Sequence, residues 1–157
     1  MSVYASQRKE TDFMVITAAQ QLRITLAKYI LHDFGYELYK DLEGGNPSLK
    51  YMIDHSRDTV LHEVSQLQLN IIAANSIYIT NKLEYQMRRA NQDNAIIACY
   101  KILGELNFIV DFLNQYHKGG VNTNKYTQVI EDINIEVKRI KGWRKSDNKI
   151  LKKLEDK

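Results

Sequence analysis

The sequence predicts an all-α chain, an antiparallel up-down-up-down four-helix bundle with a basic C-terminal extension, from three observations. One proline and seven glycines in 157 residues leave too few turns for a β or α/β fold. Long stretches repeat apolar residues every three or four positions, the period of a helix that buries one side. Short polar connectors separate these stretches, and short connectors make consecutive long helices antiparallel neighbours. The length suits a single domain over residues 1–157, with the bundle over about 11–143 and a basic tail over about 144–157. Three helices with a loose first helix are the alternative arrangement.

The first helix is expected from Thr11 to about His32, facing inward through Met14, Ala18, Leu22, Leu26 and Tyr29 or Ile30. Gly44, Gly45, Asn46 and Pro47 then make the clearest stop and restart in the chain. Asn46 suits a helix cap and Pro47 a first helical residue, because proline lacks the N–H that would go unbonded there. The second helix, to about Tyr78, presents Leu49, Ile53, Ser56, Val60, Val64, Leu67, Ile71 and Ala74. "TNK" provides the next break. The third helix is assigned the face Leu83, Met87, Ala90, Asn94, Ile97, Ile102, Leu106, Ile109 and Leu113, and stops at "KGG", where Gly119 or Gly120 suits a left-handed C-cap. A fourth helix starts from Asn122 or Thr123 and turns Tyr126, Ile130, Ile133, Val137 and Ile140 inward.

An apolar fraction of 44% and a charged fraction of 26% fit a soluble globular protein and leave no membrane span. The first residues, "MSVYASQRKETDF", have no apolar signal core, and the lone Cys99 has no internal disulfide partner. Both features suit a reducing cytoplasm.

Charge is polarised along the chain. Residues 1–137 carry thirteen Lys or Arg against sixteen Asp or Glu, a balance of −3, while residues 138–157 carry nine against three, a balance of +6. If the fourth helix continues past Gly142, a turn of roughly 100° per residue gathers Lys138, Lys141, Lys145, Lys149 and Lys152 within an arc of about 80°. Ile140, Trp143, Ile150 and Leu154 then lie on the far side. A break at Gly142, with Ser146 capping a separate short helix, is the other possibility. Cations at a helix C-terminus favour the macrodipole, which accounts for Lys138, Arg139 and Lys141 without any ligand. Lys149, Lys152 and Lys153 lie beyond that explanation, whereas a phosphate backbone would use them all. The candidate nucleic-acid-binding residues are therefore Lys138, Arg139, Lys141, Arg144, Lys145, Lys149, Lys152 and Lys153, with Arg88 and Arg89 on the third helix as a second cluster beside Lys82. Tyr78, Tyr85 and Tyr126 lie near helix ends, where aromatic faces can stack on bases. Trp143, on the apolar side, reads as a core anchor with its indole N–H at the rim.

Catalytic signatures are sparse. Glu-x-x-His does not occur, "HEVSQ" has Gln66 where a zinc-protease motif needs its second histidine, and "EGGN" lacks the lysine of a phosphate loop. No metal site, cofactor or enzymatic activity is expected, and Cys99 reads as a core thiol. The runner-up is "RDTVLH", Arg57 to His62, which resembles the arginine–histidine spacing of small all-helical ribonucleases of toxin and defence systems. A purely structural helical adaptor is a third reading.

"MSVYASQRKE", "AANSIYI" and "GWRKSD", together with a long third helix, a Gly-Gly break and the Asn122–Tyr126 start, resemble the bacterial four-helix-bundle proteins of the accessory variability determinant type. The likeness covers the first ten residues and about Leu49 to Asp147, and departs at "GYELYKDLEGGNPS", which is more acidic than that family's basic connector. The resemblance implies a pentameric, non-catalytic homo-oligomer that binds structured template RNA and the reverse transcriptase of a diversity-generating retroelement, supporting complementary-DNA synthesis. Matching positions are Asn75, Gly142, Trp143, Arg144 and Lys145, of which Arg144 and Lys145 are expected on phosphates. Proteins encoded within ribosomal RNA intervening sequences share the same bundle, so architecture alone does not fix the function.

Overall fold

The computed structural model describes residues 10–32, 47–116 and 124–157. Four helices occupy them: α1 (Glu10–His32), α2 (Pro47–Ser76), α3 (Lys82–Tyr116) and α4 (Asn124–Glu155), with no strand among the described residues. α1 packs on α2 and α4, and α3 packs on the same two helices, so the first helix is an integral wall of the core and not a loose appendage. Partner order is reversed across two of the helix pairs. Ser56 meets Glu105 and Glu63 meets Lys101 across α2 and α3, while Tyr85 meets Asn148 and Tyr100 meets Lys141 across α3 and α4. The expected caps at Asn46, Gly119, Gly120, Asn122 and Thr123 lie outside the described residues.

Pro47 opens α2 as its sequence suggests, and all eight expected inward positions from Leu49 to Ala74 are buried. α2 ends at Ser76, short of Tyr78. The link to α3 is held by side chains. Asn81 Oδ1 accepts the Glu84 amide at 3.0 Å, and Glu84 Oε2 accepts the Thr80 amide and hydroxyl at 2.7 and 2.5 Å. These exchanges satisfy donors that a helix start otherwise leaves unbonded, and they hold the Glu84 carboxyl below its usual range.

Two helix faces differ from expectation. In α1 the buried seam is Val15, Ala19, Leu22 and Leu26, a stripe narrower than the expected one, and Met14 is exposed. In α3 the first five expected positions point outward: Leu83 is 65% exposed, Met87 53% and Ile97 49%, with Ala90 and Asn94 also exposed. The reason is phase. Ile97 and Ile102 are five residues apart, a turn of roughly 140° between them, so the two halves of the expected stripe belong to different sides of the helix. Carried backward from Ile102, the true core seam is Cys99, Ala95 and Gln92, whose small or polar side chains hide it from a search for large apolar residues. Ile102→Ala should therefore cost roughly 2–5 kcal/mol in urea unfolding, and Ile97→Ala less than about 1 kcal/mol, although both remove the same group.

Candidate nucleic-acid interface

α4 is one helix through Gly142 to Glu155. A mid-helix glycine costs roughly 1 kcal/mol, and tertiary anchors on both sides of it offset that cost: Ile140 and Trp143 are in the core, and Asp147 is buried one turn further on. With the helix continuous, the burial pattern fixes its rotation. Lys138, Lys141, Lys145, Lys149, Lys152 and Lys153 are all exposed on the side opposite those anchors. The side chains of Lys138, Lys145, Lys149, Lys152 and Lys153 make no hydrogen bond or ion pair among the described residues. Lys141 Nζ donates to the Tyr100 hydroxyl at 3.1 Å and lies 5.8 Å from the centre of that ring.

The arginines are placed differently. Arg88 donates to both oxygens of Asp147, Nε at 2.8 Å and Nη2 at 3.0 Å, and its Nη1 reaches the Ile77 carbonyl at 3.1 Å. Gln92 Nε2 adds a bond to Asp147 at 2.7 Å, and the Arg88 guanidinium lies 4.8 Å from the centre of the Trp143 ring. Arg89 donates to the Tyr85 hydroxyl at 2.7 Å and to Asn148, with its guanidinium 5.4 Å from the Tyr85 ring. Arg144 sits 3.2 Å from Asp93, and Arg139 sits 3.5 Å from Glu136. Of the ten candidate side chains the structure thus gathers six lysines on one open face, turns Arg88 and Arg139 toward buried carboxylates and Arg144 toward the half-exposed Asp93, and holds Arg89 with neutral groups.

Trp143 is a core anchor, 1% exposed, but its indole N–H is not at the rim: it is buried and has no hydrogen-bond partner among the described residues, and Arg88 lies over the ring. Tyr85, considered for base stacking, has its ring under Arg89 and its hydroxyl bonded to Asn148 at 2.7 Å. Sequence reasoning missed Asp147 as the partner of Arg88. Its signal was its spacing, four residues after Trp143 and seven after Ile140, which puts a carboxylate on the buried side of α4.

Glu136, also on that side, is fully buried, and neither of its oxygens has a hydrogen-bond partner among the described residues, Arg139 lying 3.5 Å away. Burial pushes its carboxyl up to about 8, outweighing the pull of Arg139 in the other direction. The Cys99 thiol is pushed up to about 12, by burial first and the Glu136 charge second, which makes it a poor nucleophile near neutral pH. Arg57 pairs with Asp54 at 3.6 Å on α2, while His62 is exposed on a polar groove shared with Glu63, Gln66, Asn70 and Lys101. Five residues apart on one helix, Arg57 and His62 are turned roughly 140° from each other. Among the described residues no group of three or more His, Cys, Asp or Glu side chains is placed to hold a metal ion, and no helix is long and apolar enough to cross a membrane.

No protein-family model, curated protein or solved structure matches the chain.

Proposed function

We propose that this chain is a non-enzymatic, cytoplasmic accessory protein that holds structured RNA for a partner reverse transcriptase, its bundle running up-down-up-down and its basic C-terminal segment forming the RNA surface. The observation that carries this reading is the open lysine face of α4, six ammonium groups along one side of a single helix with no carboxylate among them. From Lys138 to Lys153 the face extends about 22 Å at 1.5 Å per residue, enough for several successive phosphates. Each phosphate neutralised releases condensed counterion, so binding is driven by charge and weakens as salt rises. Arg88 and Arg144, paired across the two helices, serve chiefly to fix α3 against α4 and keep that face straight.

Homo-oligomerisation, with five copies by resemblance, is supported by the outward side of α3. Leu83, Met87, Ile97 and Phe108 are large apolar side chains exposed in the single chain, and a row of them along one helix is uncommon unless something covers it. A ring of copies would repeat the lysine face and raise avidity through effective concentration.

Replacing Lys145, Lys149, Lys152 and Lys153 together by glutamine should leave helicity unchanged, lower the affinity for a fluorescein-labelled RNA hairpin, and reduce the slope of log affinity against log salt by roughly 0.7–0.9 for each lysine that touches a phosphate. Fluorescence anisotropy over a salt series measures both quantities. Affinity and slope equal to those of the parent would leave these lysines as a solubilising helix end.

A further inference from the structure

No close packing among the described residues requires glycine at Gly142, as none does at Gly104 of α3. Gly142 sits inside a 32-residue helix, is exposed, and a Cβ added there would meet no heavy atom within 4 Å. The helix would be more stable with alanine at this position, since glycine loses more backbone freedom on folding. Its surroundings are specific. Lys138 lies four residues before it and Lys145 three after it, positions that neighbour Gly142 on the helix surface with Cβ spacings of roughly 5–6 Å. Lys149 stands one further turn along the same side. The nearest carboxylates in sequence, Glu136 and Asp147, are both buried on the opposite side, the second already held by Arg88. At one edge of the cationic face, between Lys138 and Lys145 along the axis, there is therefore a gap where the main chain itself is open.

We propose that Gly142 is a contact position for the RNA backbone: without a side chain, the phosphodiester strand lies directly against α4 while the ammonium groups of Lys138 and Lys145 close on its oxygens from either side. This rests on the reading that the lysine face binds RNA, and adds where on that face the strand lies closest. Close approach shortens each ammonium–phosphate distance, and Coulomb attraction grows as distance falls. A methyl group at Gly142 would lift the strand away from both lysines.

The test exploits opposite signs. Gly142→Ala should raise the unfolding temperature by about 2–4 °C and yet weaken binding of the RNA hairpin by about fivefold at low salt. Gly142→Leu, also a good helix former, should weaken it by more than about tenfold. Size-exclusion chromatography should show both variants in the parent's assembly state. Parental affinity in both variants would overturn this inference alone, provided that the lysine-to-glutamine variant has lost binding. Parental affinity in that variant too, or a parent that does not bind the hairpin, would overturn the reading beneath it as well.

Discussion

Arg88→Ala is expected to destabilise the fold by roughly 3–5 kcal/mol, more than the loss of one aliphatic contact. Asp147 is 2% exposed, and Arg88 supplies two of its three side-chain hydrogen bonds, the third coming from Gln92. Without the guanidinium, Asp147 would remain as a buried carboxylate with one neutral donor, Trp143 would lose the cation over its ring, and the Ile77 carbonyl, just past the end of α2, would lose its partner. An uncompensated buried charge is the costliest of these consequences. Urea unfolding followed by circular dichroism measures the loss. The double variant Arg88→Met, Asp147→Leu should recover most of it, because the attraction between two buried charges barely exceeds what their removal from water costs. A single-variant loss below about 1 kcal/mol would show that water reaches the pair.

The second large effect depends on pH. Glu136 is a fully buried carboxyl pushed up to about 8 in the folded chain, while the unfolded chain has it near 4.5. With the folded value the higher, the folded state holds the proton more tightly. Its stabilising contribution is thus complete below about 4.5 and is lost as pH rises through about 8. Across that window the change is on the order of 5 kcal/mol, reduced to the extent that Arg139 swings closer. Glu136→Gln keeps the shape and removes the titration. It should unfold at nearly the same urea concentration at pH 6 and pH 9, whereas the parent should be markedly weaker at the higher pH. Parallel profiles for the two proteins would mean that Glu136 is already ionised when folded.

The face of α2 was legible because its inward positions keep an unbroken three-and-four spacing and, except for Ser56, are apolar. α3 misled for a physical reason. It carries two apolar sides, one in the core and one outward, and the outward side has the larger residues at its N-terminal end: Leu83, Met87 and Ile97 against Gln92, Ala95 and Cys99. Periodicity alone favours the larger residues, and only the five-residue step from Ile97 to Ile102 betrays the change of side. On α4 the lysine face followed from spacing once the helix is continuous, but continuity itself depended on Trp143 and Asp147 being anchored by α3. Ion pairing of the arginines was out of reach from local pattern, since Arg88 and Asp147 are 59 residues apart in the chain. Between Lys138 and Lys153 the long, flexible lysines have no carboxylate interleaved on their side and stay in solvent, whereas the planar forks of Arg88 and Arg144 find acids across the helix pair.

The affinity of the unaltered protein for an RNA hairpin, measured from low to high salt, tests most directly whether α4 is a phosphate-binding surface. If it is, log affinity should fall linearly with log salt at a slope of roughly −3 or steeper, as expected when at least four ammonium groups displace counterions. A flat dependence, or no binding at the lowest salt, would contradict it.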